Sequence, residues 1–409
     1  MLFQRNLTIP HTPDHLLFLP MPGIIIRPRA RILHGHDWVY SSEVLKIYGN
    51  PKDGEVISIK DGRDRMLGSA IYQSQSQIIA RRFSYQRQEL DREFFVRRLQ
   101  RAQEYRDRIG IDSSVRRVLW SESDGVPGLI IDRYNSVAVM QTLTLAMDQR
   151  RDLIAEVVQE VLGVETIIER NDSVSRKLEG LEIRTGVFLG ATPKEQEVMI
   201  GGMIFLMDFL HGQKTGFYLD QVTNYRDLAP WAKTGRVLDC FSNQGAFAIA
   251  AARAGASEVI AVESGAENIP RIKAHAHTNG VTIGVIGANV FDYLSQATRR
   301  GEKYDLIILD PPPFTRVKKG INDALRGYRE LHFKAAQLLA PNGRLATFSC
   351  SHHISAAAFH HTATEAFHDA RRSARQRHIF TQSPDHPIVL ALPETEYLKG
   401  YLFEMFNSF

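Results

Sequence analysis

Cysteine is scarce in this 409-residue chain: Cys240 and Cys350 are the only two. Two thiols build no disulfide framework, and the expected compartment is a reducing cytoplasm. Long apolar runs are missing as well, so no segment reads as a membrane span. The stretch from Leu16 to Ile26 is broken by Pro20, Pro22 and Gly23, which argues against a signal peptide. Neither sign of charge dominates, with 50 Lys and Arg against 46 Asp and Glu. A pI near 8.9 leans weakly toward a polyanionic partner. No cysteine or carboxylate constellation surrounds His34 and His36, so no metal site is expected. The composition, 44% hydrophobic and 23% charged, fits a soluble globular protein of two or three domains.

The stretch Arg236 to Glu263, RVLDCFSNQGAFAIAAARAGASEVIAVE, organises the rest. An apolar run ends in Asp239, and a short polar loop, Ser242-Asn243-Gln244-Gly245, follows. An Ala-rich helical stretch leads to a second apolar run closed by Glu263. This is a βαβ unit with ligand groups at the carboxyl ends of its strands. Glu263 lies 18 residues after Gly245, close to the ~20 expected of a ribose-binding carboxylate. The loop lacks G-x-G-x-x-G, which leaves little room for a pyrophosphate. An ordinary crossover is one reading. If a ligand binds, a nucleoside without phosphates fits better than NAD, which points to S-adenosylmethionine (SAM).

Residues 1–23 read as a Pro-interrupted extension. Residues 24–86 carry short β-type runs separated by turn signals, the pattern of a small β-barrel. Arg27, Arg29 and Arg31 precede Trp38, which reads as buried. Such a basic and aromatic rim is either an ordinary charged loop or an RNA contact. Residues 87–200 read as an α+β module. It opens with a helix over 91–110 that puts Phe94, Phe95, Leu99, Ala102 and Tyr105 on one side. The arginines of this helix, Arg97, Arg98, Arg101, Arg106 and Arg108, read as a solvated face. Strands are expected at 166–169 and 181–184.

Residues 201–409 read as the third domain, the one expected to carry the chemistry. HGQKTGFYLDQ (211–221) is a polar loop whose Tyr218, Asp220 and Gln221 either contact a ligand or cap a helix. Leu306 to Leu309 form a buried parallel strand that ends in Asp310-Pro311-Pro312-Pro313-Phe314. The prolines stiffen that loop. They fix Asp310 at the sheet edge and present Phe314 as a stacking surface, an arrangement used by base methyltransferases. A strand ending in Cys350 follows. By position, Cys350 is either an inert buried thiol or a reactive one at a strand's carboxyl end. The final antiparallel pair is expected from 387–392 and 401–406.

Together these motifs resemble the bacterial large-subunit ribosomal RNA cytosine-5 methyltransferase family. The resemblance runs from about Ile24 to the end. It rests on RPRARILHGHDWVYSSEV, ESDGVPGLIIDRY, HGQKTGFYLDQ, VLDCFSNQGAF, LDPPPF, GYRELHFKAAQLLAPNG, TFSCS and DHPI. It implies a PUA-like RNA-binding barrel and an α+β linker ahead of an α/β, Rossmann-like SAM-dependent methyltransferase domain. It also implies that Tyr218, Asp220, Gln221, Asp239, Phe241, Gly245, Glu263, Asn289, Asp310 and Pro311 surround SAM. Cys350 would be the nucleophile with Asp310 beside it, and Arg27, Arg29, Arg31 and Phe314 would meet ribosomal RNA. No membrane partner is implied, and a homodimer is allowed. Three positions depart from the family pattern: Asn289 replaces a usual Asp, Pro313 a usual Lys, and the 242–245 loop a usual Tyr-Thr-Gly-Gly. Two alternatives stay open, a methyltransferase for another RNA base such as guanine, and a SAM- and RNA-binding protein whose catalysis has lapsed.

Overall fold

A computed structural model describes residues 21–210, 216–315 and 318–406. Residues 1–20, most of the expected extension, and 211–215 of the polar loop lie outside the described residues.

The first sheet holds six strands: β1 (Gly23–Ile26), β2 (Trp38–Tyr40), β3 (Val44–Tyr48), β4 (Val56–Lys60), β5 (Met66–Tyr72) and β6 (Ile78–Ser84). Their order is β2-β6-β5-β4-β1-β3. Its core is aliphatic, with Ile24, Ile26, Ile57 and Ile59 fully buried. Trp38 is half-buried rather than buried; its Nε1 donates to Glu122 at 2.9 Å, and the Arg81 guanidinium lies 5.0 Å from its ring centroid.

The second unit contains α1 (Arg92–Arg108), β7 (Val115–Trp120), β8 (Leu129–Tyr134), β9 (Val137–Thr142), α2 (Leu145–Asp148), α3 (Arg151–Leu162), β10 (Thr166–Asn171) and β11 (Arg184–Leu189). Asp91 caps α1 by accepting from the Phe94 N–H at 2.8 Å. Phe94, Phe95, Leu99 and Ala102 face the core as the spacing predicts. Two arginines depart from the expected solvated face: Arg98 is half-buried, and Arg106 is 0% exposed. The Arg106 guanidinium makes a fork to Asp124, both bonds 2.9 Å, and donates to the Asp385 carbonyl at 2.7 Å. The strand expected at 181–184 begins at Arg184 instead, because Val174–Glu179 forms a 3₁₀ turn ahead of it.

The remaining elements are β12 (Gln196–Ile200), β13 (Met203–Met207), α4 (Val222–Leu228), β14 (Arg236–Cys240), α5 (Ala246–Arg253), β15 (Glu258–Glu263), α6 (Asn268–Thr278), β16 (Gly284–Gly287), α7 (Val290–Arg299), β17 (Tyr304–Leu309), α8 (Ile321–Leu338), β18 (Leu339–Ser349), α9 (Ala356–Asp369), β19 (Ser373–Thr381) and β20 (Lys399–Phe406). β12 and β13 form a hairpin, and the large sheet runs β16-β15-β14-β17-β18-β20-β19. Strands β14, β15, β16, β17 and β18 are parallel, and β20 runs antiparallel to both its neighbours. Leu306, Ile307, Ile308 and Leu309 are buried on both faces of the sheet, which is why their sequence shows no alternation.

The last antiparallel pair is β19 with β20, not 387–392 with 401–406. Pro387 lacks an N–H, and residues 387–392 carry only an isolated bridge between Val389 and Leu392. β19 reads as polar because it is an edge strand with five consecutive exposed residues, Glu-free but rich in Arg and His.

Candidate active site

Strand order fixes where a ligand crevice forms. From β14 the chain steps outward to β15 and β16, then returns to β17 on the other side of β14. The switch point therefore lies between β14 and β17, at their carboxyl ends. Asp239 and the 241–245 loop follow β14, Glu263 ends β15, Asn289 follows β16, Asp310 follows β17, and Cys350 follows β18. These predicted residues are thus brought to one edge of one sheet.

The β14 loop is backbone-strained in a way that aims its groups inward. Phe241, Asn243 and Gly245 all have left-handed φ values, 62°, 52° and 84°. A Cβ at Gly245 would meet Ile272 Cγ2 at 3.0 Å, so both the angle and the space call for glycine. Glu263 holds the loop by accepting from the Asn243 N–H at 2.8 Å and the Gly265 N–H at 2.7 Å. Asp239 is 1% exposed. Its Oδ2 accepts from Ser242 Oγ at 2.6 Å and the Ala248 N–H at 3.2 Å. Its Oδ1 is buried without a partner among the described residues. Burial pushes the Asp239 carboxyl up to about 7, and Glu263 adds to the rise while the two hydrogen bonds oppose it.

The segment before β14 closes the crevice from the other side. Gln221 Nε2 donates to Asp310 Oδ2 at 3.0 Å. Asn224 supports Gln221, donating to its Oε1 at 2.6 Å and to the Thr381 carbonyl at 2.9 Å. Tyr397 donates to Asp220 Oδ2 at 2.7 Å, and the Ser383 N–H donates to the Asp220 carbonyl at 2.7 Å. Tyr218 is half-buried. Its hydroxyl is held protonated first by burial, then by the surrounding Asp310, Asp220, Cys350 and Glu263.

Cys350 is partly exposed, one residue past β18, whereas Cys240 is buried at the end of β14. Burial holds the Cys240 thiol well above its ordinary value. Beside Cys350, Lys399 is buried and donates from Nζ to the Ser351 carbonyl at 2.8 Å. Burial lowers the Lys399 ammonium, and Cys350 is the largest influence opposing that fall. The fully buried Tyr328 places its hydroxyl 3.4 Å from Ser351 Oγ.

Three predicted residues meet local structure first. Asn289 is the N-cap of α7, accepting from the Phe291 and Asp292 N–H groups at 2.9 and 3.4 Å. The Phe314 ring packs on Tyr328, centroids 4.6 Å apart, and lies over Gly327. It is half-buried, a wall more than a free surface. Pro311 is buried beside Asp310. Arg27, Arg29 and Arg31 lie away from the crevice, on the first sheet, and all three are exposed. Arg27 Nε donates to the Val44 carbonyl at 3.2 Å, and the Arg31 guanidinium lies 4.3 Å from the Tyr40 ring centroid.

Sequence reasoning gave no role to Tyr397, Lys399, Asn224 or Tyr328. It quoted Asp385 and His386 only as part of the DHPI motif and gave them no role; their side chains bond at 2.8 Å. Asp385 Oδ2 accepts from the Arg117 N–H at 2.9 Å, and Trp120 packs against both His386 and Tyr397. The linker sheet is therefore tied through Asp385, His386 and Tyr397 to Asp220 at the crevice. An Asp-His-Pro run within a proline-rich loop was the available signal.

A family model described as S-adenosylmethionine-dependent methyltransferase matches residues 184–383, and a PUA-like domain model matches residues 25–85. Ribosomal RNA large subunit methyltransferase I of Aeromonas salmonicida is 39% identical over 378 residues, 90% of this chain and 95% of that protein. The chain belongs to the ribosomal RNA large subunit methyltransferase I family. The protein of the same name from Erwinia tasmaniensis is 37% identical over 377 residues, 90% of this chain and 95% of its own. The fold is shared with a SAM-dependent methyltransferase of Streptococcus mutans, TM-score 0.80 at 21% identity, covering 94% of this chain and all of the other. As members of this family do, the chain takes SAM as cofactor. Its residues fit that cofactor: the orphaned Asp239 Oδ1 offers a buried acceptor, and the Gly245 turn opens the backbone beside it.

Proposed function

We propose that this protein methylates carbon 5 of a cytosine in large-subunit ribosomal RNA through a covalent adduct at Cys350, acting in the cytoplasm. The observation that carries this reading is a partly exposed thiol following β18, whose neighbour β17 leads into Asp310. The names of the relatives supply the RNA class.

SAM, when bound, supplies an electrophilic methyl group. Asp239, Phe241, Gly245, Glu263 and Asn289 would hold it from the strand ends, with Tyr218, Asp220, Gln221 and Pro311 closing the opposite side. Cytosine carbon 5 is a weak nucleophile. The Cys350 thiolate forms a bond to carbon 6, and the electron pair of the ring double bond moves to carbon 5. Asp310 accepts from the exocyclic amine and, sharing a proton with ring nitrogen 3, favours the electrophilic form of the ring. Once carbon 5 carries the methyl group, a base removes its proton. That electron pair restores the double bond, and the Cys350–carbon 6 bond breaks. The target base leaves its stack to reach the crevice, where Phe314, backed by the buried Tyr328, forms its fixed wall. Residues 24–86 act as the RNA-gripping unit, with Arg27, Arg29 and Arg31 on phosphates.

An RNA substrate carrying 5-fluorocytidine tests the adduct. Fluorine does not leave carbon 5 as a proton does, so the protein should stay joined to RNA under denaturing conditions when SAM is present. Cys350→Ala should abolish that complex. A wild-type protein that methylates RNA yet forms no complex would rule the covalent route out.

A further inference from the structure

A groove of about 950 Å³ runs where the first sheet meets α1, far in sequence from the crevice residues. Its walls include Arg82, Tyr85, Arg97, Arg98, Arg101 and Tyr105. Three carboxylates also line it, and each is occupied. Asp37 pairs with Arg82 at 2.7 Å, Glu122 with Arg81 at 2.9 Å, and Asp124 with the buried Arg106 at 2.9 Å. That leaves Arg97, Arg98 and Arg101 in surplus. Arg97 pairs with the exposed Glu93 at 3.3 Å and donates to the neutral Gln88 Oε1 at 3.2 Å, and Arg98 donates to the Phe83 carbonyl at 2.6 Å. Burial holds Arg98 below the ordinary arginine value, and the neighbouring Arg101 and Arg97 add to the fall. In the same groove, Tyr85 is 69% exposed, with the Arg82 guanidinium 3.9 Å from its ring centroid.

A surplus of fixed positive charge along one helix, sharing a groove with an exposed aromatic ring, matches what a flexible polyanion with flat bases needs. We infer that this groove is a second RNA site, in which a single-stranded segment lays its phosphates on Arg97, Arg98 and Arg101 and stacks a base on Tyr85. It is separate from the Arg27, Arg29 and Arg31 rim. The inference rests on the RNA reading above, but not on cytosine or on Cys350.

The test is fluorescence anisotropy with a labelled single-stranded RNA oligonucleotide across a salt series, using the full chain. No methyl transfer is read, so a failed groove and a failed methylation mechanism remain distinguishable. Arg97→Gln/Arg101→Gln should lower the magnitude of the log–log salt slope by about 1.4, roughly 0.7 for each phosphate no longer neutralised. Tyr85→Ala should weaken binding about tenfold with the slope unchanged. Lys233→Gln/Arg299→Gln removes the same charge near the starts of β14 and β17, at the opposite edge of the large sheet. It should leave the slope within error of wild type. SAM affinity by calorimetry checks that each variant is folded. Equal reduction of the slope in both double variants, or none in either, would overturn the assignment. So would displacement of the oligonucleotide by a free mononucleotide alone, which would mark a small-ligand pocket.

Discussion

Tyr397 donates from its hydroxyl to Asp220 Oδ2 at 2.7 Å, although 177 residues separate them in the chain. The bond fixes the segment that carries Tyr218, Asp220 and Gln221 against the loop after β19. Burial first, and Asp220 second, keep the Tyr397 hydroxyl protonated far above ordinary pH, so it remains a donor throughout the working range.

Removing that donor should loosen the crevice without emptying the core. Tyr397→Phe leaves Asp220 with one bond fewer, at a cost of about 1 kcal/mol. The expected result is a roughly fivefold rise in the SAM dissociation constant by calorimetry, with a thermal midpoint only a few degrees lower. An unchanged SAM affinity would mean that the segment does not need this tie.

Asp239 makes the cofactor-free protein pH-sensitive. Its folded carboxyl is raised from 3.8 to about 7, so between those values the folded state binds more protons than the unfolded chain. Stability from this group is therefore greatest at low pH and is lost as pH rises through 7, by at most about 1.4 kcal/mol per pH unit. Asp239→Asn should flatten the midpoint-against-pH curve between pH 5 and 7.5. It should also raise the midpoint of the cofactor-free protein near pH 8, while SAM binding falls at least tenfold. Thermal denaturation across pH and calorimetry read the two effects separately.

Lys399 places its ammonium at the carbonyl next to Cys350, where it favours a thiolate over a thiol. Lys399→Met should raise the Cys350 pKa and slow its alkylation by iodoacetamide about five- to tenfold at pH 7.5. Lys399→Arg should recover much of the rate. Cys240 is buried, and a Cys350→Ala control measures any residual labelling. Identical pH profiles for wild type and Lys399→Met would remove the lysine from thiol activation.

The parallel part of the large sheet was legible because its information is local. Runs such as LIIL are buried on both faces, and each ends in a polar or proline-rich turn, so strand, loop and ligand group could be read from consecutive residues. The Asp239, Glu263, Asp310 and Cys350 positions followed from that punctuation. The supports behind them were not legible. Tyr397, Lys399, Asp385 and Arg117 meet their partners across long sequence separations, and no local pattern marks a tyrosine that will bond a carboxylate. β19 hid its pairing because it is an exposed edge strand in which Phe380 is the one buried residue and even Ile379 is exposed. Arg106 looked like part of a solvated run because burial of an arginine depends on Asp124 and Asp385 arriving from elsewhere. Phe314 was legible as a feature of the proline loop, but its packing on Tyr328 and Gly327 of α8 was not.

Mass spectrometry of nucleosides identifies the methylated atom and the need for Cys350 in one experiment. Deproteinised large-subunit RNA is incubated with the protein and methyl-labelled SAM, then digested. Wild type should place label in 5-methylcytidine and Cys350→Ala none, although that variant still binds SAM. Label in a methylated guanosine, or undiminished 5-methylcytidine from Cys350→Ala, would contradict the covalent cytosine-5 mechanism.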